Sequence, residues 1–293
     1  MNIFVAGGTG FVGEHLIRQL KFDGHKPKLL VHHRSTTFKD VDQMSCDISD
    51  IERLSQGMAE CDAVINLIGI IREFPSRGVT FEKLHTAATA ALLEAAAKSG
   101  VRRYLQMSAL GSRADAVSGY HKSKWQAEEL VRSSALYWTV FRPSLIFGPR
   151  DAFINMLADQ LRLAPVMPVI GSGSYRLQPV HADDVARCFS LALDMPETFG
   201  KSYEICGRDR ISYEALIDMI SESMGRSVPF KPHLPLGLMK LIIPVMQKFS
   251  QFPITMDQLQ MLLEENIGGT EWQEVFGFQA RALREGIREY LSV

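Results

Sequence analysis

Near its start the chain reads "NIFVAGGTGFVGEHLIRQL". A short apolar run, Ile3 to Ala6, meets glycines at 7, 10 and 13, and Phe11 to Phe22 then places Val12, Leu16, Ile17 and Leu20 at helical spacing. Glycine is needed where the backbone turns tightly or where another group must come close to it. The order strand, G-x-x-G-x-x-G, helix gives each glycine a task. Gly7 permits the turn, Gly10 lets backbone approach a pyrophosphate, and Gly13 lets the helix pack closely on the strand. The helix N-terminus then attracts the phosphates. A dinucleotide is therefore the expected neighbour of Gly7, Thr9, Gly10, Phe11, Val12 and Gly13.

The pattern repeats down the first half of the chain. Lys28 to Val31, Ala63 to Ile70 ("AVINLIGI"), "RYLQMSA" and "YWTVFRPSLIF" are short apolar runs. Between them lie an alanine-rich helical stretch from Phe81 to Lys98, closed by Gly100, and another from about His121 to Ser133. Short buried strands joined by helical crossovers predict an α/β fold, a Rossmann-like doubly wound parallel sheet. The pattern loosens after Gly148. We expect an NAD(P)-binding domain over 1–202, with 150–180 contributing to a substrate cleft. A small, mostly helical C-terminal substrate or lid lobe is expected over 203–293. In the latter part Ser212 is an N-cap candidate and Gly225 a stop.

The 293 residues are 46% hydrophobic and 22% charged, with net charge −1. The whole-chain field therefore suggests neither nucleic acid nor an acidic surface as partner. Cys46, Cys61, Cys188 and Cys206 match no metal knuckle and no redox pair, so reduced, packed thiols and no metal site are expected. No stretch reaches the roughly 18 apolar residues of a span, and no leader-like segment precedes the first strand. A cytoplasmic protein is the expectation.

The cofactor type is decided at the end of the second strand. An NAD site usually carries Asp or Glu there for the ribose hydroxyls. This chain has His32, His33 and Arg34 instead. An arginine can hold a 2′-phosphate bidentately, so NADP(H) is expected over NAD(H). Asp47 in "CDISD" is placed to bond the adenine amino group, with Ile48 against the ring.

These motifs resemble the short-chain dehydrogenase/reductase superfamily in its extended and atypical branches. "GGTGFVG" looks like the phosphate loop, and "SGYHKSKWQAE" contains Y-x-x-x-K at Tyr120 and Lys124. "FRPSLIFGPRD", "QPVHADDVA" and "YEICGRDRISYEALIDMI" are similar to later family segments. "VHHRS" and "RPSLIFGPRDAFIN" resemble the branch holding the NADPH-carrying accessory subunit of mitochondrial complex I and its bacterial relatives. The resemblance implies that Leu67, Ile68 and Gly69 lie against the dinucleotide and that backbone at Pro143, Ser144 and Ile146 meets the carboxamide. It also implies that Lys124 bonds the nicotinamide ribose and lowers the pKa of Tyr120, which exchanges a proton with a carbonyl or alcohol oxygen. Ser108 is the candidate third hydroxyl, although in one register that place falls on Ala109. His85 stands where the family has a structural Asn and is read as a buried packing or backbone-bonding histidine. The resemblance gives Asp183 and Asp184 as a helix start and loop anchor, and N-terminal helix capping is the preferred reading.

Two function classes follow. One is an NAD(P)-dependent oxidoreductase or epimerase/dehydratase acting on a hydrophobic carbonyl or alcohol, or on a nucleotide-sugar. The other is a non-turnover NADPH-binding accessory or assembly protein of a respiratory or quinone-pathway complex. "LPLGLMKLIIPVMQKFSQF" (234–252) is either a lid on the substrate cleft or a surface for a peripheral membrane or protein partner.

Overall fold

The computed structural model describes residues 1–32, 38–247, 249, 252 and 254–292. Seven strands form the central sheet: β1 (Asn2–Ala6), β2 (Lys26–Val31), β3 (Asp42–Ser45), β4 (Ala63–Asn66), β5 (Arg103–Met107), β6 (Tyr137–Pro143) and β7 (Lys201–Ile205). Their order is β3-β2-β1-β4-β5-β6-β7, and every pairing is parallel. Helices α1 (Phe11–Phe22), α2 (Ile51–Met58), α3 (Ala88–Ser99), α4 (Gly119–Arg132), α5 (Phe153–Leu163) and α6 (Ala182–Ala192) lie between strands in sequence. The chain is thus the doubly wound Rossmann-like sheet that the alternating runs predict.

The alternation within β1 explains why both faces are covered. Ile3 and Val5 pack with Leu16, Ile17 and Leu20 of α1 and with Val185 and Phe189 of α6. Phe4 and Ala6 pack on the other face with Leu54 of α2 and with Leu92 and Ala96 of α3. Successive strand side chains point to opposite faces, so a strand apolar at every position needs helices on both sides. Each fully buried side chain of this kind contributes about 1.5–3 kcal/mol.

Sequence order reverses between β1 and β4, and at such a switch point an open α/β sheet takes its ligands in the crevice at the strands' C-terminal ends. The loops after Ala6 and Asn66 line it.

Three details depart from the expectations. The 81–98 helix opens as a π-helix over Glu82–Ala87 before α3, and His85 lies in that wide turn. The long run "YWTVFRPSLIF" breaks after Pro143, and Ile146–Phe147 pairs with Val180–His181 instead. The boundary expected at residue 202 falls inside β7. Trp272 and Phe276 of α10 (Trp272–Phe276) also join the core beneath the sheet. The remaining lobe packs α5 on α7 (Tyr213–Ser223) and α11 (Leu283–Leu291). An apolar hairpin of α8 (Leu236–Met246) and α9 (Met256–Leu263) has its own small cluster around Met239, Ile243 and Leu259.

Candidate dinucleotide and catalytic site

The glycine loop has the tight geometry that its spacing predicts. Gly7 has φ +84°, and a Cβ there would lie 2.8 Å from the carbonyl carbon of Leu67 and 2.9 Å from the nitrogen of Ile68. The loops after β1 and β4 therefore touch backbone to backbone. A Cβ on Gly13 would stand 2.5 Å from the Gly7 oxygen, so the helix rests on the loop itself. Gly10 differs, since its Cβ would meet only the Gly7 oxygen, at 3.3 Å. It faces away from the packed loop at the start of α1. Gly10 is also the N-cap and offers no side-chain cap, so the first-turn N–H groups are left for a ligand. Thr9 and Gly10 are half-buried at the loop tip. This cradle fits a dinucleotide pyrophosphate.

Helix α4 begins where the Ser118 hydroxyl accepts from the His121 N–H at 3.2 Å. That start sets Tyr120 and Lys124 one turn apart on the same face. The Lys124 ammonium donates to the carbonyls of Ile68 and Met107, both at 3.2 Å. It thereby ties α4 to the ends of β4 and β5. Burial holds its pKa down to about 8, against a smaller opposing pull from Glu128.

His85 anchors the other side. Its Nε2 accepts from the Ile70 N–H at 3.0 Å, which puts the ring proton on Nδ1, 2.8 Å from the Ser123 hydroxyl oxygen. The Ser123 hydroxyl in turn donates to the Tyr120 carbonyl at 2.8 Å. Burial and the nearby Lys124 charge push the His85 pKa down to about 2, so the ring is neutral. The ring is both packed against Phe81 and Tyr120 and bonded to the Ile70 backbone. The Tyr120 ring stands edge-on to Phe81, His85 and His121 at centroid distances of 5.9, 5.5 and 5.3 Å. Phe81 and His121 of this cage carried no signal in the sequence that separated them from core residues.

Several expectations need correction. Lys124 does not lower the Tyr120 pKa in this arrangement, because its ammonium is directed at two carbonyls. Burial alone acts on the phenol and raises it to about 12. Ser108 is not offered to the cleft. Its buried hydroxyl donates to Glu128 at 2.5 Å and lies 3.2 Å from the Ser112 hydroxyl. Glu128 also takes both arms of Arg142, at 2.9 and 2.6 Å, and an ion pair from Arg132. Ser108 thus belongs to a buried ionic network, and its neighbour Ala109 has no hydroxyl to replace it. Ser144 is likewise committed, with its N–H on the Ile205 carbonyl (3.0 Å) and its hydroxyl on that of Gln178 (2.5 Å). The Pro143 carbonyl already accepts from Leu110, at 2.8 Å. Ile146, the third carboxamide candidate, lies in the two-residue strand that pairs with Val180 and His181.

At the far end of the crevice, His32 follows β2 directly. Its Nε2 lies 3.9 Å from the Asp47 carboxylate. Asp47 accepts from the Ser49 N–H and hydroxyl at 2.9 and 2.7 Å, and these bonds hold its pKa below the usual range. Ile48 is half-buried against the layer of α2 and α3. His33 and Arg34 lie outside the described residues. The preferred capping by Asp183 and Asp184 is overturned, since both carboxylates anchor other segments. Asp183 meets the His15 ring at 2.5 Å, and Asp184 accepts from the Arg281 N–H at 2.8 Å. The capping itself falls to His181, whose Nδ1 accepts from the Asp183 N–H at 3.2 Å.

Two closures come from the C-terminal hairpin. The Arg72 guanidinium, two residues past the His85-bound Ile70, donates to the carbonyls of Phe252, Gln247 and Phe249 at 2.7, 3.1 and 3.2 Å. The Gly119 N–H, beside Tyr120, donates to Asp257 of α9 at 2.7 Å. The hairpin is thus fastened to the segments on both sides of the Tyr120 ring. Nothing in the local sequence marks these long-range pairs.

Comparison with known proteins agrees with this geometry. The model of the NAD dependent epimerase/dehydratase family matches residues 3–206. The Arabidopsis thaliana protein named NADH dehydrogenase [ubiquinone] 1 alpha subcomplex subunit 9, mitochondrial, is 32% identical over 80% of this chain and 61% of its own length. The ceramide reductase of Caulobacter vibrioides is 30% identical over 63% of this chain and 58% of its own. The chain thus spans about three fifths of the length of these two relatives. Among solved structures, MoeE5 in complex with UDP-glucuronic acid and NAD has the same fold, with a TM-score of 0.80 at 21% identity over 99% of this chain and 98% of that one. A strand–glycine–helix cradle at the switch point, a Tyr-x-x-x-Lys helix beside it, and a family model covering both place this chain in the NAD dependent epimerase/dehydratase family.

Proposed function

We propose that the chain binds NADP(H) and reduces a hydrophobic carbonyl compound to the alcohol, with Tyr120 as the proton donor. The observation that carries this reading is the placement of Tyr120. It lies one turn from Lys124, whose ammonium reaches the ends of β4 and β5, and is caged by Phe81, His85 and His121. A bound NADPH supplies the hydride. The chain's own part is to hold the substrate oxygen and give it a proton. A phenol raised to about 12 is fully protonated at neutral pH, which suits a donor to a carbonyl oxygen better than a base toward an alcohol. Lys124 keeps one N–H beyond its two carbonyl bonds, free to meet a ribose hydroxyl. His85 fixes the Ile70 backbone and, through Ser123, the start of α4. The preference for the phosphorylated dinucleotide rests on His32, His33 and Arg34, where an acidic residue would serve NAD. The likeness to the ceramide reductase supports a lipid-like carbonyl as substrate class.

A second reading is an NADPH-binding accessory protein of a respiratory complex. The commitment of Ser108 to Glu128 favours it, because the site then lacks a second hydroxyl for the substrate oxygen. The likeness to the Arabidopsis subunit points the same way. Steady-state NADPH oxidation with a panel of long-chain ketones separates the two. Tyr120→Phe should lower the rate by about 10²–10⁴-fold while leaving NADPH affinity nearly unchanged. A wild type that binds NADPH and oxidises it with no member of the panel supports the accessory reading.

A further inference from the structure

Helix α8 presents an apolar face to solvent where a surface helix carries polar residues. Leu238, Leu241 and Val245 are 50%, 75% and 60% exposed, and Ile242 and Met246 also lie on that side. These positions follow the spacing i, i+3, i+4, i+7, i+8, so they form one stripe. Phe249, just beyond the helix, is 58% exposed and extends it. The opposite side is apolar as well, with Met239 and Ile243 buried against Leu259 of α9. A helix that is apolar on both sides normally has a partner on both.

The charges along this stretch of the sequence select that partner. From Arg226 to Met256 the sequence has no Asp or Glu, while Arg226, Lys231, Lys240 and Lys248 are basic. Lys231 is paired with Asp218. Lys240 is exposed and has no acidic partner among the described residues. Arg226 gives its guanidinium to the carbonyls of Leu161 and Arg162 and has no acidic partner among the described residues. Pairing this face with a second copy would bring like charges together with no acid between them. An anionic lipid surface complements both the apolar stripe and the positive flank. At 11 residues, α8 is too short to cross a bilayer, and no described helix is long and apolar enough to do so. It is built to lie in the interface plane.

We propose that α8 docks the protein on an anionic membrane surface and turns the Tyr120 cleft toward the lipid. The α8–α9 hairpin roofs that cleft, through Arg72 on one side and the Gly119–Asp257 bond on the other. A protein seated on α8 therefore has its substrate entrance next to the acyl layer. This inference extends the reading of a hydrophobic substrate, and its test is independent of turnover.

The test is co-sedimentation of the full chain with phosphatidylcholine vesicles, with and without phosphatidylglycerol. The wild type should sediment with the anionic vesicles, less so as salt is raised, and much less with neutral ones. The double variant Leu241→Glu, Val245→Glu should lose at least about tenfold in vesicle affinity, because it sets two charges in the contact face. Its melting temperature and NADPH affinity should be unchanged, since both side chains already face solvent. Absence of wild-type binding to anionic vesicles overturns the proposal, as does equal binding by the double variant. A wild-type dimer that the double variant dissolves, seen by analytical ultracentrifugation without vesicle binding, assigns the face to a second copy and also overturns it.

Discussion

Gly69 and the Lys124 ammonium are so close that a Cβ on residue 69 would stand 2.9 Å from Nζ. The ammonium holds its place between the Ile68 and Met107 carbonyls because residue 69 has no side chain. Gly69→Ala should therefore displace the flexible end of Lys124 without disturbing backbone. Thermal unfolding should show little loss of stability. NADPH titration should show affinity lowered by about tenfold or more, as for one weakened hydrogen bond to a charged group, about 1.5–3 kcal/mol. Unchanged affinity would remove Lys124 from the ribose site.

Lys124 also sets a pH dependence. Its pKa falls from 10.5 to about 8 on burial. Between those values the unfolded chain binds the proton and the folded chain does not, so this group makes stability rise with pH from about 8 to 10.5. Below pH 8 both states are protonated, and the burial penalty, on the order of 3 kcal/mol, is present in full. Lys124→Met removes it. In denaturant unfolding across pH 7–10.5, the stability of wild type minus that of variant should climb by roughly 3 kcal/mol. A flat difference would mean that the ammonium is not desolvated as the structure has it.

Arg34 tests the cofactor preference. The wild type should bind NADPH more tightly than NADH by calorimetry. Arg34→Ala should lose about 1.5–3 kcal/mol toward NADPH and little toward NADH, through loss of one charge-assisted contact to the 2′-phosphate. Equal wild-type affinities would refute the preference.

Gly10→Val tests the cradle. The Cβ at residue 10 meets only the Gly7 oxygen, at 3.3 Å, so the fold should survive, as circular dichroism will report. Dinucleotide binding should be abolished, because the side chain would occupy the place of the pyrophosphate at the start of α1. Retained binding would put the phosphate site elsewhere.

The sheet was legible because its signals are local. β1, β4 and β5 are short apolar runs, the glycines sit between strand and helix, and Ser212 caps α7 as its position suggests. Tyr120 and Lys124 were legible because a spacing of four on one helix fixes a shared face without tertiary information. Periodicity also placed Asp183 and Asp184 at a helix start, although the cap proved to be His181.

By itself the sequence determined the alternation of strands and helices, the strand–glycine–helix loop and the shared face of Tyr120 and Lys124, since each depends on residues within a few positions of one another. The tertiary structure alone decided which partner each polar group takes. Ser108 finds Glu128, which also holds the Arg142 guanidinium, across the β5–α4–β6 packing, and Ser144 finds Gln178 and Ile205. Lys124 turns to two strand-end carbonyls and leaves Tyr120 to be governed by burial alone. The same holds for Arg72 and Asp257, which fasten an apolar hairpin over the cleft from far along the chain. The physical reason is that hydrogen-bond partnership and desolvation depend on distances between elements remote in sequence, whereas strand and helix periodicity depends on neighbours along the chain.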